Sequence, residues 1–270
     1  MAKDAADIVL LDKDLGVLAD GVMEGRRIFA NTLKYVLMAT SSNFGNMFSA
    51  AGASVFLTFL PMLPSQILLN NLLYDVGQLA IPGDRVDDEI LARPAAWDIA
   101  FVRRFMSVFG PISSIFDFMT FFVMLVVLNA SHAEFRSGWF VESLATQTLV
   151  VFVIRTRRTP FFHSHPSRAM TITPIACALI GAVLPFSPLA DTLGFTTLPI
   201  SFFLILVGMI VTYLALVETA KRRFYATQAR PHRAPLTHEQ RHERHVARRA
   251  ARYSHHTLRI RPGKGEPSAQ

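Results

Sequence analysis

The sequence predicts an all-α, multi-pass membrane protein with six transmembrane helices and a short α/β segment at its N-terminus. Three observations support this fold class. The 270-residue chain is 51% hydrophobic and only 17% charged, whereas a soluble domain carries about 25% charged residues. The apolar residues are gathered in six long runs. The connections between these runs alternate between strongly basic and nearly uncharged.

The predicted spans follow from the length of helix that a bilayer requires, which is about 20 largely apolar residues. Pro61 and Pro64 end the first run and indicate a tight turn before the second one. The six spans are predicted at about residues 35–60, 65–81, 105–128, 138–154, 169–185 and 198–219.

The first thirty residues, 1–30, have the character of a soluble protein. Residues 8–11 form a short apolar run of strand type. Residues 15–29 then show apolar residues at helical spacing and continue into the first span without a proline. We therefore expect a strand and a helix ahead of a membrane domain that covers residues 31–222.

The charges of the loops predict the orientation, because short loops rich in lysine and arginine stay in the cytoplasm. The connection between the second and third spans carries four arginines, and so does the connection between the fourth and fifth. The three remaining connections hold a single arginine, Arg136. This pattern predicts that both termini lie on the cytoplasmic side.

Residues 223–270 form a basic, histidine-rich tail that we expect to be disordered in the cytoplasm. From Lys221 onward the chain has 13 Lys and Arg residues against three Glu. The net charge of +7 is therefore concentrated in the tail, which argues against nucleic-acid binding. His238, His242 and His245 have ligand-like helical spacing, but a solvated tail near anionic lipid explains the same residues.

Polar side chains inside two predicted spans form the candidate site. Asn43 and Asn46 are three residues apart, and Asn71 and Asp75 are four apart, so that each pair shares a helical face. The very short turn makes the two spans antiparallel neighbours, and we expect the four side chains to converge near the middle of the membrane. Amide oxygens with one carboxylate are hard ligands that suit Mg²⁺ or Ca²⁺.

Other polar residues in the spans carry a weaker prediction. Three of them are expected to make hydrogen bonds between helices: Ser41, Ser42 and Asn70. Asp117 in the third span, with Glu142 and Gln147 in the fourth, could join a second site or pair with each other. We expect Glu142 to lie near the membrane surface in contact with water. The single cysteine, Cys177, excludes an internal disulfide.

Two motifs resemble those of P-type ATPases. The segment from Ser41 to Asn46 resembles the SSNxGE motif of the fifth transmembrane helix of calcium pumps, with Asn46 in place of the acidic residue. The segment from Asn71 to Asp75 resembles the NxxTD motif of the sixth helix, with Tyr74 in place of threonine. Within a likeness over about residues 3–224, further stretches resemble the bacterial magnesium-transporting members: 5–11, 24–27, 59–64, 109–117, 137–140, 154–158 and 184–189.

The resemblance implies the membrane part of an ATP-driven magnesium transporter of the bacterial inner (plasma) membrane. In such a pump MgATP phosphorylates the aspartate of a DKTGT motif, a TGE-bearing domain then promotes dephosphorylation, and the helices carry Mg²⁺ into the cytoplasm. Residues 1–30 would be the end of the phosphorylation domain. The implied ion ligands are Asn43, Asn46, Asn71 and Asp75.

The sequence also departs from the family pattern. It holds no DKTGT, TGE or GDGxND motif, and Asp12-Lys13 is followed by Asp-Leu-Gly rather than Thr-Gly-Thr. The proline-kinked fourth helix is missing too. We therefore expect half of a cation site, which needs the N-terminal pump half as its partner, uses ATP only through the missing domains and does not pump alone. Two alternatives remain open: a non-catalytic, free-standing membrane protein derived from such a pump, or a pump for another cation such as Ca²⁺.

Overall fold

The computed structural model describes residues 15–92, 96–158, 160 and 164–228, and this part of the chain is nearly all helical. The described residues up to Tyr225 form one compact unit, and beyond it only 226–228, the end of the last helix, are described. The predicted strand at 8–11 and the tail beyond 228 lie outside the described residues.

The described residues form nine α-helices. They are α1 Leu15–Phe56, α2 Pro64–Gln78, α3 Asp88–Leu91, α4 Ile99–Phe122, α5 His132–Leu149, α6 Val151–Ile154, α7 Arg168–Val183, α8 Ala190–Leu193 and α9 Ile200–Gln228.

Four helical segments of the described residues are long and apolar enough to cross a membrane: Ile99–Val127, His132–Ile154, Arg168–Phe186 and Ile200–Thr227. They overlap the third to sixth predicted spans. Most of the first predicted span, 35–60, lies in α1, a continuous helix of 42 residues that ends at Phe56. The second lies in α2, which has 15 residues and is shorter than the ~20 that a perpendicular span needs. The helical character of all six segments is confirmed, and the count of six spans stays a prediction.

Local sequence signals set where the helices begin. Ser131 and Glu134 form a capping box that starts α5, in which each side chain accepts a hydrogen bond from the other residue's backbone N–H. The Asp98 carboxylate accepts a hydrogen bond from the Phe101 N–H at the start of α4. Ser167 caps α7 in the same way through the Met170 N–H. A single π-helical turn, Val123–Val127, continues α4 at its C-terminal end.

Helix α5 occupies the centre of the bundle. It packs against α2, α4 and α7, and 94% of its most apolar 18-residue window is buried. The corresponding windows of α7 and α9 are each only 28% buried, so those helices present most of their apolar surface outwards. Polar groups on α5 are therefore held in the interior of the protein.

Helices α1 and α4 approach closely through small residues. A Cβ atom on Gly45 would lie 3.0 Å from the Gly110 carbonyl oxygen, and one on Gly110 would lie 2.5 Å from Cδ1 of Phe44. The Ser114 hydroxyl donates a hydrogen bond of 3.0 Å to the Gly45 carbonyl oxygen. Small residues that bring two backbones together, with a hydroxyl hydrogen bond between them, are typical of helix packing in membranes. Gly45 lies between Asn43 and Asn46, so this close approach fixes the position of both asparagines relative to α4.

Candidate cation site

Three of the four predicted ligands line one cavity. Asn43 and Asn46 from α1 and Asn71 from α2 face an open cavity of about 450 Å³ between α1, α2 and α5. The spacing of three residues in α1 places both of its asparagines on this wall. Asn43 and Asn71 are exposed and Asn46 is partly buried, so their amide groups are accessible from the cavity.

Asp75 lies on a different cavity. Its side chain is exposed and lines a second space of about 510 Å³, together with Asn31 and Gln78. Four residues along a helix correspond to a rise of about 6 Å, so Asp75 is displaced from Asn71 by one turn towards the loop that follows α2. In this conformation the structure brings the three asparagines together and does not place Asp75 on the same cavity wall.

Asn46 is connected to α5 by hydrogen bonds. Its side-chain oxygen accepts hydrogen bonds from Nε2 of Gln147 at 2.9 Å and from the Ser143 hydroxyl at 3.4 Å. The side-chain oxygen of Gln147 is buried with no donor among the described residues. Gln147 was only a weak candidate from sequence, and the structure places it beside the predicted ligand Asn46.

Asn70 also lines this cavity. The sequence had predicted only a hydrogen bond between helices for this residue. Its Nδ2 donates a weak hydrogen bond of 3.4 Å to the Phe140 carbonyl oxygen of α5, so the expected interhelical bond is confirmed. Its Oδ1 is buried with no donor in the described part of the chain, and the residue lines the amide-containing cavity. Ser41 instead donates within α1, to the Met38 carbonyl oxygen.

The prediction that Glu142 meets water near the membrane surface is wrong. Glu142 is 1% exposed and Asp117 is 1% exposed, because both face the interior where α4 and α5 pack together. The Asp117 carboxylate accepts hydrogen bonds from the Ser49 hydroxyl at 2.6 Å and from the Trp139 indole N–H at 2.7 Å. The two carboxyl groups interact electrostatically. This agrees with the sequence-based alternative in which Asp117 and Glu142 pair with each other.

The donor set of the cavity suits a hard cation. Its oxygen ligands are four asparagine amides and the Ser143 hydroxyl, with no thiolate or imidazole, and such ligands favour Mg²⁺ or Ca²⁺ over transition metals. Within the residues that the structure describes, no three His, Cys, Asp or Glu side chains are grouped as a metal-binding cluster. An ion in the cavity would therefore keep much of its water shell, which Mg²⁺ commonly does.

An ionic cluster joins the middle of α1 to the loop after α2 and the loop before α7. Asp84, in the loop after α2, is buried and binds Lys34 of α1 and Arg155 of the loop before α7. Asp87 of the same loop accepts hydrogen bonds from Thr156 and Ser164. We call Lys34, Asp84 and Arg155 the Asp84 cluster. It ties the first two helices, which carry the predicted ligands, to the α6–α7 connection.

Four described helical segments of membrane-spanning length, with buried polar side chains on the central one, define an integral membrane protein with polar groups in its interior. Residues 59–223 match the family described as "Cation transporting ATPase, C-terminus", and the chain belongs to this family. The resemblance to the C-terminal membrane portion of bacterial magnesium-transporting P-type ATPases is thereby confirmed.

Individual relatives agree with this assignment. The chain is 52% identical over 225 residues to "Magnesium-transporting ATPase, P-type 1" of Escherichia coli K12, covering 82% of this chain and 25% of that protein. It is 51% identical to the protein of the same name from Salmonella typhimurium, with the same coverage. A "Calcium-transporting ATPase" of Bacillus subtilis is 30% identical over 94 residues, which is 34% of this chain and 11% of that protein. The chain thus spans about a quarter of the length of its magnesium-transporting relatives.

Proposed function

We propose that the chain is the membrane part of an ATP-driven Mg²⁺ transporter and supplies half of its intramembrane cation site. Asn43, Asn46, Asn71 and Asp75 are the proposed ligands from this chain. The remaining ligands, and the phosphorylation chemistry that uses ATP, would come from the N-terminal half of the pump.

The observation that carries this proposal is the cavity between α1, α2 and α5. Three residues chosen as ligands from sequence spacing line it together, in a chain whose magnesium-transporting relatives match it over most of its length. A membrane protein rarely places three amides on one cavity wall without a polar occupant, because an unpaired polar group in a membrane is unfavourable.

The size of the cavity favours a hydrated ion. A water molecule in the liquid takes up about 30 Å³, so six waters need roughly 180 Å³. The cavity of about 450 Å³ has room for a cation with its first shell of water. Mg²⁺ gives up water reluctantly, and neutral amides can hold such an ion through its water molecules while Asp75 supplies one negative charge.

The same proposal includes the membrane topology. We infer six spans with both termini in the cytoplasm of a bacterium, where α1 and α2 are the first two spans and α1 extends as a stalk into the cytoplasm. Residues 1–30 would then belong to the end of the phosphorylation domain and the stalk, 31–222 to the membrane domain and 223–270 to the cytoplasmic tail. Basic loops before α4 and α7 support this orientation.

Titration calorimetry on the chain in lipid nanodiscs tests the half-site. We expect weak Mg²⁺ binding that is reduced in Asn46→Ala and Asn71→Ala, because each variant removes an amide oxygen from the cavity. Thr212→Val is the matched control, since Thr212 lies on the exposed surface of α9 and its hydroxyl bonds only within its own helix. Equal Mg²⁺ binding by the unaltered chain and all three variants would contradict the half-site. Stronger binding of Ca²⁺ than of Mg²⁺ would favour a calcium pump.

A further inference from the structure

Two buried carboxyl groups face each other in the centre of the bundle, away from the proposed ligands. Asp117 lies on α4 and Glu142 on α5, whereas the four proposed ligands lie on α1 and α2. Each carboxyl group is almost fully buried, at 1% exposure of its residue. Neither side chain forms part of the cavity lined by the three asparagines.

The two groups differ in their hydrogen-bond donors. Both oxygens of Asp117 accept a hydrogen bond, Oδ1 from the Trp139 indole and Oδ2 from the Ser49 hydroxyl. Both oxygens of Glu142 are buried, and no described donor meets them at full hydrogen-bond geometry; the hydroxyls of Thr120 and Thr146 lie close by, and that of Thr146 donates to backbone carbonyl oxygens instead. A buried carboxylate requires donors or a positive charge, so the surroundings suit an anion at Asp117 and a neutral acid at Glu142.

No buried cation of the described residues pairs with Asp117 or Glu142. Of the described residues, the buried cations are Lys34, Arg155 and Lys221. Lys34 and Arg155 bind Asp84. Lys221 donates to the carbonyl oxygens of Val153 and Arg158 and pairs with Glu218 at the end of α9. Two carboxylates that share a buried site without a cation cannot both be ionised, and one of them keeps its proton.

The charged side chains of the neighbouring helices lie elsewhere, with Asp75 on the second cavity and Lys221 paired with Glu218, and the buried phenols and thiol of these helices are neutral at physiological pH. Tyr213 of α9 interacts electrostatically with both carboxyl groups. Helix α2 contributes Tyr74, α7 contributes Cys177, and α1 contributes the uncharged Ser49. Phenols and thiols ordinarily titrate well above pH 7, so these groups add no charge that could replace the proton.

We propose that Glu142 and Asp117 form a proton-binding site within the bundle, in which Glu142 carries the proton and Asp117 is the anion that it faces. The hydroxyl of the protonated Glu142 donates to the Asp117 carboxylate, and the pair carries a single negative charge. Burial in apolar surroundings is known to keep some carboxyl groups neutral inside proteins.

The proton site adjoins the amide-lined cavity through one residue. Trp139 donates to Asp117 and also lines the cavity. A cation in the cavity would disfavour the proton by charge repulsion, so cation binding and proton release would be coupled. This coupling rests on the proposed function, whereas the proton site itself does not.

Infrared spectroscopy of the chain in nanodiscs tests the proton site without any added ion. A protonated carboxylic acid has a C=O stretching band that is separate from the bands of carboxylates. We expect one such band at pH 7, where exposed Asp and Glu are ionised, and we expect Glu142→Gln to remove it. Glu134→Gln is the matched control on the same helix, and its spectrum should keep the band.

Isotope labelling makes the test independent of whether the variant folds. When only the glutamates carry ¹³C in their carboxyl groups, the band of the unaltered chain should shift, because it belongs to a glutamic acid. Absence of the band at pH 7, a band that persists in folded Glu142→Gln, or a band that does not shift with labelled glutamate would each overturn the proposal.

Discussion

The guanidinium of Arg155 and the carboxylate of Asp84 form a two-point ion pair across 71 residues of sequence. Nε of Arg155 lies 2.9 Å from Oδ2 of Asp84, and Nη2 lies 3.0 Å from Oδ1. Both side chains are buried, at 1% and 0% exposure. A parallel pair of charge-assisted hydrogen bonds fixes both the distance and the orientation of the two groups.

Lys34 adds a second cation to Asp84. Its Nζ lies 3.1 Å from Oδ2 of the carboxylate. Burial lowers the pKa of Lys34, and the negative charge of Asp84 opposes that shift by favouring the ammonium form. Asp84 therefore connects α1 with the loop before α7. Movement of α1 would be transmitted to that loop through the Asp84 cluster.

Asp84→Asn should strongly destabilise the protein. The substitution keeps the shape of the side chain but leaves Arg155 and Lys34 without their buried anion, and breaking a buried ion pair from one side costs about 3–5 kcal/mol. Thermal unfolding in detergent measures the loss. Arg158→Gln is the control, because Arg158 pairs with Glu89 at the surface and exposed pairs contribute little. Equal unfolding temperatures for both variants would contradict the importance of the Asp84 cluster.

Ser49→Ala should destabilise the bundle by about 1.5–3 kcal/mol, the range for a hydrogen bond to a charged group. The variant removes the hydroxyl that donates to Asp117 from α1. Ser54→Ala on the same helix serves for comparison, since the exposed Ser54 hydroxyl bonds only to the Ala51 carbonyl of its own helix. We expect chemical unfolding in mixed micelles to separate the two variants, and indistinguishable curves would argue against an ionised Asp117.

Gly110→Ala should weaken the contact between α1 and α4. The added methyl group would lie 2.5 Å from a ring carbon of Phe44 and 3.3 Å from the Ser41 carbonyl oxygen, and overpacking typically costs about 1–3 kcal/mol. In Gly208→Ala of α9 the methyl group meets nothing within 4 Å and should raise helix stability slightly. An unfolding temperature for Gly110→Ala at or above that of the unaltered protein would contradict the close crossing.

The helices could be predicted from sequence more accurately than their ends. Apolar runs located the cores of the four long spans, but α5 begins at His132 rather than near Gly138. The capping box of Ser131 and Glu134 extends it through polar residues that hydropathy does not recognise. Helix α1 likewise continues through the polar run from Thr40 to Asn46.

The burial of Glu142 could not be predicted from its own position in the sequence, but the composition of α5 offered a signal. Its mean hydropathy, 1.4, is the lowest of the four candidate spans, and yet 94% of its window is buried. The window of α9 has the highest mean hydropathy, 2.6, and is 28% buried. A helix surrounded by other helices can carry polar residues, whereas a helix that faces lipid cannot. The least apolar span is thus the central one.

The arrangement of the candidate site followed from sequence only in part. Spacings of three and four residues and the short turn predicted that Asn43, Asn46 and Asn71 converge, and these three side chains line one cavity; their role as ligands stays a prediction. The same reasoning treated Asn71 and Asp75 as equivalent because they share a face. It neglected the rise of one helical turn between them, and Asp75 consequently lines a neighbouring cavity.

Mg²⁺ flux through the complete pump that we propose for this chain tests the account most directly. Purified pump in liposomes would be supplied with ATP, and Mg²⁺ movement would be followed with a fluorescent indicator for Asp75→Asn and for the exposed control Asp191→Asn. Loss of the carboxylate should reduce the transport rate roughly tenfold to hundredfold, as expected for about 1.5–3 kcal/mol of charge-assisted binding, while the control retains full flux. Undiminished Mg²⁺ transport by a folded Asp75→Asn pump would contradict the proposed cation site.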